Sequence, residues 1–190
     1  MPAHAKKYSK TALPYTTDGV KPKVNSKEAV DLWIEYSMSP HSEEELRDKL
    51  LGSLSDICVS YVCRYSLISE EFIFEFTGLT TGLFNKGTYD KDVCIELGKY
   101  LMMNKEGKDK VYTDIKLYKQ GLLLEDNLPE GLRGKPALYL DMFTTVLRDK
   151  VDWYYIEKYQ NYSLAFRKKY THLFNDTKKD AYEKSYDTEE

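Results

Sequence analysis

The sequence predicts an all-α protein, an irregular bundle of five to seven helices. Apolar residues recur at steps of three and four along most of the chain, helix-capping residues precede these runs, and only two short stretches also fit a strand. The chain has 190 residues, 42% hydrophobic and 31% charged, which is enough to bury one core. We therefore expect one helical domain over residues 25–174, between an extended basic arm at 1–24 and a polar tail at 175–190.

The clearest helical pattern lies in the first third of the chain. A predicted capping box at 25–28 opens a first helix that ends before Ser39-Pro40. A second box at 42–45 opens a helix that we predict to run unbroken over 42–66, because leucines and other apolar residues recur at helical spacing along it. We expect this long helix to form the spine of the core.

Glycines interrupt the next apolar run. Ser69 is a candidate N-cap for a third helix, within which Phe72–Phe76 also fits a short strand. Gly78 and Gly82 would each cost about 1 kcal/mol inside a helix. We therefore expect either the close approach of another helix at these glycines or a break in the helix.

The pattern of the following segment predicts another helix and then a loop. Asp90 is a candidate N-cap for a fourth helix that ends near Gly107. Residues 110–120 fit either a helix or a strand, and their helical neighbours favour a helix. Repeated glycine and proline predict a loop over 121–136, before the last helical region.

The last helical region, 136–174, would be almost 60 Å long as one helix, at about 1.5 Å per residue. We expect it to break at Gln160-Asn161, or to project and meet a partner. Its second half alternates bases with aromatic rings, which fits single-strand stacking or an amphipathic helix with rings inward and bases outward. The candidate partner-binding residues of this segment are Lys158, Tyr162, Phe166, Arg167, Lys168, Lys169 and Tyr170.

Charge is distributed unevenly. The net charge of -3 implies no strongly acidic or basic partner for the whole chain. The arm at 1–24 nevertheless contains five lysines against one aspartate, so it could follow a phosphate backbone or lie along a neighbouring subunit. We expect the arm to be dispensable for folding but not for association. Its candidate partner-binding residues are Lys6, Lys7, Tyr8, Lys10 and Tyr15.

Cysteine usage and hydropathy indicate a compartment. Cysteines occur at 58, 63 and 94, an odd number, and the N-terminus has no apolar signal-peptide core. We therefore expect reduced thiols and an intracellular location, in the cytoplasm or, for a viral protein, in the host cytoplasm or virion. No run approaches the about 20 apolar residues of a membrane helix, so we expect no membrane partner.

No motif predicts catalysis, a cofactor or a metal. Residues 82–89, Gly-Leu-Phe-Asn-Lys-Gly-Thr-Tyr, depart from a phosphate-binding loop because Lys86 precedes the second glycine. Cys58 and Cys63 are five residues apart, which does not fit common zinc-ligand spacing. We expect a non-enzymatic interaction or assembly protein, a structural subunit or accessory component of a larger macromolecular complex, for which a viral complex is a candidate. Its partner would be another protein or a second copy.

A resemblance supplies the alternative function. Residues 51–65, followed by Gly82-Leu83-Phe84 and Tyr89-Asp90, loosely resemble the core-binding helices of a bacterial or phage sigma factor. The opening Lys23–Glu28 also resembles the start of phage late sigma factors. The aromatic, basic strand-melting helix of that family should follow Asp90 closely and does not. The resemblance implies a transcription accessory factor that associates with nucleic acid.

Overall fold

The computed structural model describes residues 27–52, 57–145 and 147–174 as α-helices, loops and two short 3₁₀ turns. These ranges contain no strand, so the all-α prediction is confirmed. The arm at 1–24 and the tail at 175–190 lie outside the described residues. The helices are α1 (Lys27–Ser37), α2 (Glu43–Gly52), α3 (Val59–Tyr65), α4 (Glu70–Leu79), α5 (Lys91–Met102), α6 (Lys105–Lys119), α7 (Ala137–Thr144), α8 (Trp153–Tyr159), α9 (Leu164–Lys169) and α10 (Thr171–Phe174).

The described residues thus form ten helices rather than five to seven, because the predicted helix over 42–66 is broken and the last helical region divides into four. The predicted helix over 42–66 is wrong as one element: α2 ends at Gly52 and α3 begins at Val59. Cys58 is the extended N-cap of α3, and its N–H donates to the Ser37 hydroxyl oxygen at 3.0 Å. Apolar residues are buried on both sides of the break. The helical spacing of apolar residues over 42–66 therefore indicated which residues are buried, but not that one helix continues through them.

Helices α4 and α5 form the most extensive helix pair of the described chain. Ser69 caps α4 as predicted, since its hydroxyl oxygen accepts from the Phe72 N–H at 3.2 Å. A Cβ at Gly78 would overlap the Cys94 carbonyl oxygen, and one at Gly98 would overlap the Phe74 carbonyl oxygen. Close approach of another helix is therefore the reason for Gly78.

The chain turns away after α4. Gly82 has a φ of 75°, a left-handed conformation that favours glycine, and it lies in the turn that follows the helix. The segment Gly82-Leu83-Phe84, part of the resemblance to sigma-factor core-binding helices, is therefore not helical, because residues 82–85 are a turn and a loop.

Two successive caps define α5 and α6. The Asp90 carboxylate accepts from the backbone N–H groups of Asp92 and Val93, as predicted. Helix α5 ends at Met102, earlier than predicted, because Asn104 caps α6 by accepting from the Gly107 N–H at 2.8 Å. Gly107 therefore lies in the first turn of α6, and the helical prediction for 110–120 is confirmed through Lys119.

The last helical region divides into α7 to α10. The predicted loop at 121–136 includes the 3₁₀ turns Glu125–Asn127 and Glu130–Leu132, and α7 follows Pro136. The predicted break at Gln160 is confirmed. The buried Gln160 amide donates to the carbonyl oxygens of Cys63 and Ser66 at 2.8 and 2.7 Å and accepts from the Ile68 N–H at 2.9 Å. This side chain fixes the end of α8 against the connection between α3 and α4.

A continuous apolar core joins these helices, with fully buried side chains from α2, α4, α5, α6, α7 and α8. The largest fully buried side chains of this core include Leu46, Ile73, Phe76, Leu97, Met102, Ile115, Phe143 and Tyr155.

Within the described residues, no helix is both long enough and apolar enough to cross a membrane.

Candidate interaction surface

The rings of α9 face inward. Ser163 caps the helix by accepting from the Phe166 N–H at 3.1 Å. Phe166 and Tyr170 are only 5% and 4% exposed, and their ring centroids lie 5.8 and 5.9 Å from that of Phe74 on α4. These two candidate partner residues therefore belong to the chain's own core, which removes their rings from any partner surface.

The bases of α9 face outward. All three bases, Arg167, Lys168 and Lys169, are exposed. This agrees with the predicted amphipathic helix that has its rings inward and its bases outward. The Arg167 guanidinium lies 3.0 Å from the Glu157 carboxylate and donates to the Tyr162 hydroxyl at 3.3 Å. These hydrogen bonds raise the pKa of Arg167, a side chain that is in any case charged at physiological pH.

Lys158 and Tyr162 extend this surface onto α8 and its following loop. Lys158 is exposed, and its ammonium group lies 5.8 and 5.6 Å from the ring centroids of Tyr154 and Tyr159. Tyr162 is half-buried, with its ring stacked on Phe174 at 5.3 Å. We call the exposed bases Lys158, Arg167, Lys168 and Lys169 the basic face.

A groove of about 540 Å³ lies over α4, α5 and the second 3₁₀ turn. Phe74 and Ile95 give it an apolar lining, and Lys99 is its one lining base. The ammonium group of Lys91, a residue that does not line the groove, lies 3.6 Å from the Glu71 carboxylate. We call this feature the acidic groove, after its carboxylates Glu71, Asp92, Glu96 and Glu130.

The acidic groove was not predicted from the sequence. Glu71, Asp92 and Glu130 each lie in the first turn of a helix, where a carboxylate stabilises the helix dipole and needs no other explanation. Only the packing of α4 on α5, and of the second 3₁₀ turn on α5, brings them together. The available signal was this repeated placement of acids at helix starts.

The acidic groove and the basic face adjoin each other. Phe74 lines the groove and also contacts Phe166 and Tyr170 beneath the basic face. The Glu70 carboxylate on α4 accepts from the backbone N–H and hydroxyl of Ser163 at 3.2 and 2.9 Å. Together they form one surface with an acidic half and a basic half.

A second cluster of charged groups lies deeper in the protein. Glu75 on α4 is 1% exposed, and the Arg47 guanidinium donates to its two oxygens at 2.5 and 2.8 Å. The Tyr89 hydroxyl also donates to Glu75, and burial, together with that hydrogen bond, raises the pKa of Tyr89. Because these groups bind one another and join α2, α4 and the loop before α5, the cluster has the contacts of a structural link.

The buried cysteines are poor nucleophiles. Burial raises the pKa of the Cys63 and Cys94 thiols, and the Cys94 thiol donates to the Glu75 carbonyl oxygen at 3.3 Å. A protonated thiol attacks slowly, because the thiolate is the reactive form. Over the ranges that the structure describes, no group of three or more His, Cys, Asp or Glu residues could hold a metal ion.

The described histidines and the glycine-rich turn have local partners. His41 contacts the Glu45 carboxylate and the Tyr36 carbonyl oxygen, at 3.1 and 2.8 Å. His172 lies 2.8 Å from the carbonyl oxygen of Met102. In the turn at 85–89, the Asn85 side chain accepts from two following backbone N–H groups, so the side chain of the turn itself occupies donors that a phosphate would need.

The remaining candidate residues, Lys6, Lys7, Tyr8, Lys10 and Tyr15, lie outside the described residues. Comparisons with models of protein families, with curated proteins and with solved structures give no match.

Proposed function

We propose that this protein is a non-enzymatic interaction or assembly protein that binds a protein partner through the acidic groove and the basic face. The observation that supports the proposal is the arrangement of α9, in which Phe166 is held in the core while Arg167, Lys168 and Lys169 remain exposed beside four carboxylates. Such juxtaposed charges give a protein interface its register and its partner selectivity.

A protein partner suits this surface better than a nucleic acid. Single-strand binding uses exposed rings on which bases stack, whereas Phe166 and Tyr170 are buried. The acidic groove beside the basic face would also repel a phosphate backbone. A protein surface can place opposite charges against both halves.

The second candidate is a transcription accessory factor that binds nucleic acid. Its support is the basic face itself, together with the five lysines of the arm at 1–24. Both could lie along a phosphate backbone while the acidic groove faces away.

The two candidates predict different results with labelled oligonucleotides. Under the proposal, fluorescence anisotropy with single- and double-stranded DNA and RNA gives only weak binding, with Kd above about 10 µM near physiological salt. Binding tighter than about 1 µM, with a salt slope that falls by about one unit for each of Lys168→Ala and Lys169→Ala, would support the nucleic-acid candidate instead.

A positive test uses a photo-crosslinking amino acid in the cells that make the protein. Placed at the exposed Ala165 or Lys168, it should give discrete adducts with a protein. Placed at Thr113, which is exposed on α6, it serves as the control. Equal, diffuse labelling from Thr113 and Lys168 would contradict a specific interaction surface on α9.

The wider setting is part of the same proposal. The described cysteines are all free thiols, which suits a reducing compartment inside a cell. The surface with an acidic and a basic half supports membership of a larger complex, for which a viral complex is a candidate. The 17 tyrosines support it as well, because tyrosine is enriched at interfaces.

A further inference from the structure

We infer that the partner of this surface is a second copy of the chain, placed about a two-fold axis so that the basic face of each copy lies in the acidic groove of the other. This inference rests on the proposed function and specifies its partner. In a two-fold dimer the same patch meets itself, so the patch must be self-complementary.

The charges of the two halves match. The acidic groove presents four carboxylates, of which Glu71 lies 3.6 Å from Lys91 and Glu96 lies 3.6 Å from Lys99. Its net charge therefore remains negative. The basic face presents four bases, with Glu157 as the carboxylate that contacts Arg167. Two copies facing each other would therefore form two equivalent sets of opposite charges, whereas a uniformly acidic or basic partner could complement only half of the surface.

The halves are also placed as a two-fold contact requires. Glu70 at the start of α4 binds Ser163 at the start of α9, and Phe74 both lines the groove and contacts Phe166 beneath the basic face. Because these contacts place the two halves next to each other, both contacts of a dimer can form at the same time around an axis that passes between them.

Apolar groups in the same area suit the proposed occupant. Leu164 follows Ser163 at the boundary and is 67% exposed. Phe74 and Ile95 line the groove, where the methylene stems of Lys168 and Lys169 from a second copy could pack while their ammonium groups reach the carboxylates. Association would therefore bury exposed apolar surface as well as pair charges.

A charge exchange tests this arrangement. One variant, Glu71→Lys/Glu130→Lys, reverses two exposed acids of the groove, and the other, Lys168→Glu/Lys169→Glu, reverses two exposed bases of α9. Each variant alone would face like charges across both contacts. In a mixed pair, both contacts would again join opposite charges.

Sedimentation equilibrium at low salt gives the readout. We expect the wild-type chain to dimerise, each variant alone to dimerise at least about tenfold more weakly, and the equimolar mixture to recover the dimer as a heterodimer. The control Lys105→Glu/Lys116→Glu reverses two exposed bases on α6 and should dimerise like the wild type. Circular dichroism melts establish that every variant is folded.

The inference is overturned if the folded wild type stays monomeric at every concentration up to about 1 mM, which corresponds to a binding free energy of only about -4 kcal/mol. It is also overturned if the mixture does not recover the dimer. The proposed function fails separately: a monomeric wild type that still gives a specific crosslink from Lys168 refutes the second copy but keeps the interaction surface. A monomeric wild type that also gives no specific crosslink from Lys168 would refute both the second copy and the proposed function.

Discussion

Helices α4 and α9 contact each other through Phe74 and Phe166, yet they use their side chains in opposite ways. Helix α4 buries seven of its ten residues, including a charged one, Glu75. Helix α9 buries only Phe166 of its six. A change on α4 therefore reaches the core at most positions, whereas on α9 one ring stabilises the fold and the other side chains are available for recognition. The predictions below test whether stability and recognition are separated in this way.

Removing the buried carboxylate of α4 should have the largest effect. Breaking a buried ion pair typically costs about 3–5 kcal/mol, and Glu75→Ala should fall near about 3 because Arg47 keeps some solvent contact. Denaturant unfolding measures the loss. The matched variant Arg47→Met/Glu75→Leu should recover much of it, since neither charge is then left unpaired, but not all, because the Tyr89 hydroxyl loses its acceptor. A loss below about 1 kcal/mol for Glu75→Ala would contradict the structural link.

Separating α4 from α5 should have the next largest effect. A methyl group at Gly98 would overlap the backbone of Phe74, so the helices must move apart, and Gly98→Ala should destabilise the protein by about 1–3 kcal/mol. Gly52→Ala, near the end of α2, is the control because nothing lies within 4 Å of the added carbon. Thermal melts in which both substitutions behave alike would refute the close contact at Gly98.

A smaller effect should depend on pH. Lys135 and Asp90 lie 2.7 Å apart. Burial opposes ionisation of Asp90, but the hydrogen bond and charge of Lys135, together with the backbone N–H groups of Val93 and Asp92, outweigh it and lower the pKa of Asp90 from its ordinary 3.8. The same hydrogen bond raises the pKa of Lys135 above 10.5. The pair should therefore contribute about 0.5 kcal/mol, after allowance for solvent screening, at pH values between these two ordinary pKa values.

Unfolding of Lys135→Met across pH checks this contribution. The stability difference from the wild type should be constant near neutral pH. The difference should disappear as the pH falls through the lowered pKa of Asp90. It should also disappear as the pH rises through the raised pKa of Lys135. A difference that grows under acid would show that Lys135 acts through something other than Asp90.

Local chemistry explains what the sequence predicted well. Ser69 and Asp90 cap their helices through bonds to residues two or three positions away, so their role is visible in a short window. The orientation of α9 follows equally from Phe166 and its spacing to Tyr170, because a helical step of four places both rings on one side.

The features that sequence did not reveal depend on distant contacts. Arg47 and Glu75 are 28 residues apart, and no local pattern pairs them. The break between α2 and α3 was hidden because buried apolar residues keep a helical spacing across it. The acidic groove combines residues of α4, α5 and a 3₁₀ turn, each of which has a sufficient local explanation.

Helix α9 should contribute to folding stability through the buried Phe166 ring and to partner recognition through its exposed bases. The most direct measurement compares Phe166→Ala with Arg167→Ala/Lys168→Ala/Lys169→Ala, recording for each the free energy of unfolding and the dissociation constant of self-association. We predict that Phe166→Ala loses about 3–5 kcal/mol of stability. The triple variant should lose less than about 1 kcal/mol, because exposed charges add little, while its association weakens at least about tenfold. A triple variant that unfolds, or a Phe166→Ala protein as stable as the wild type, would contradict the account.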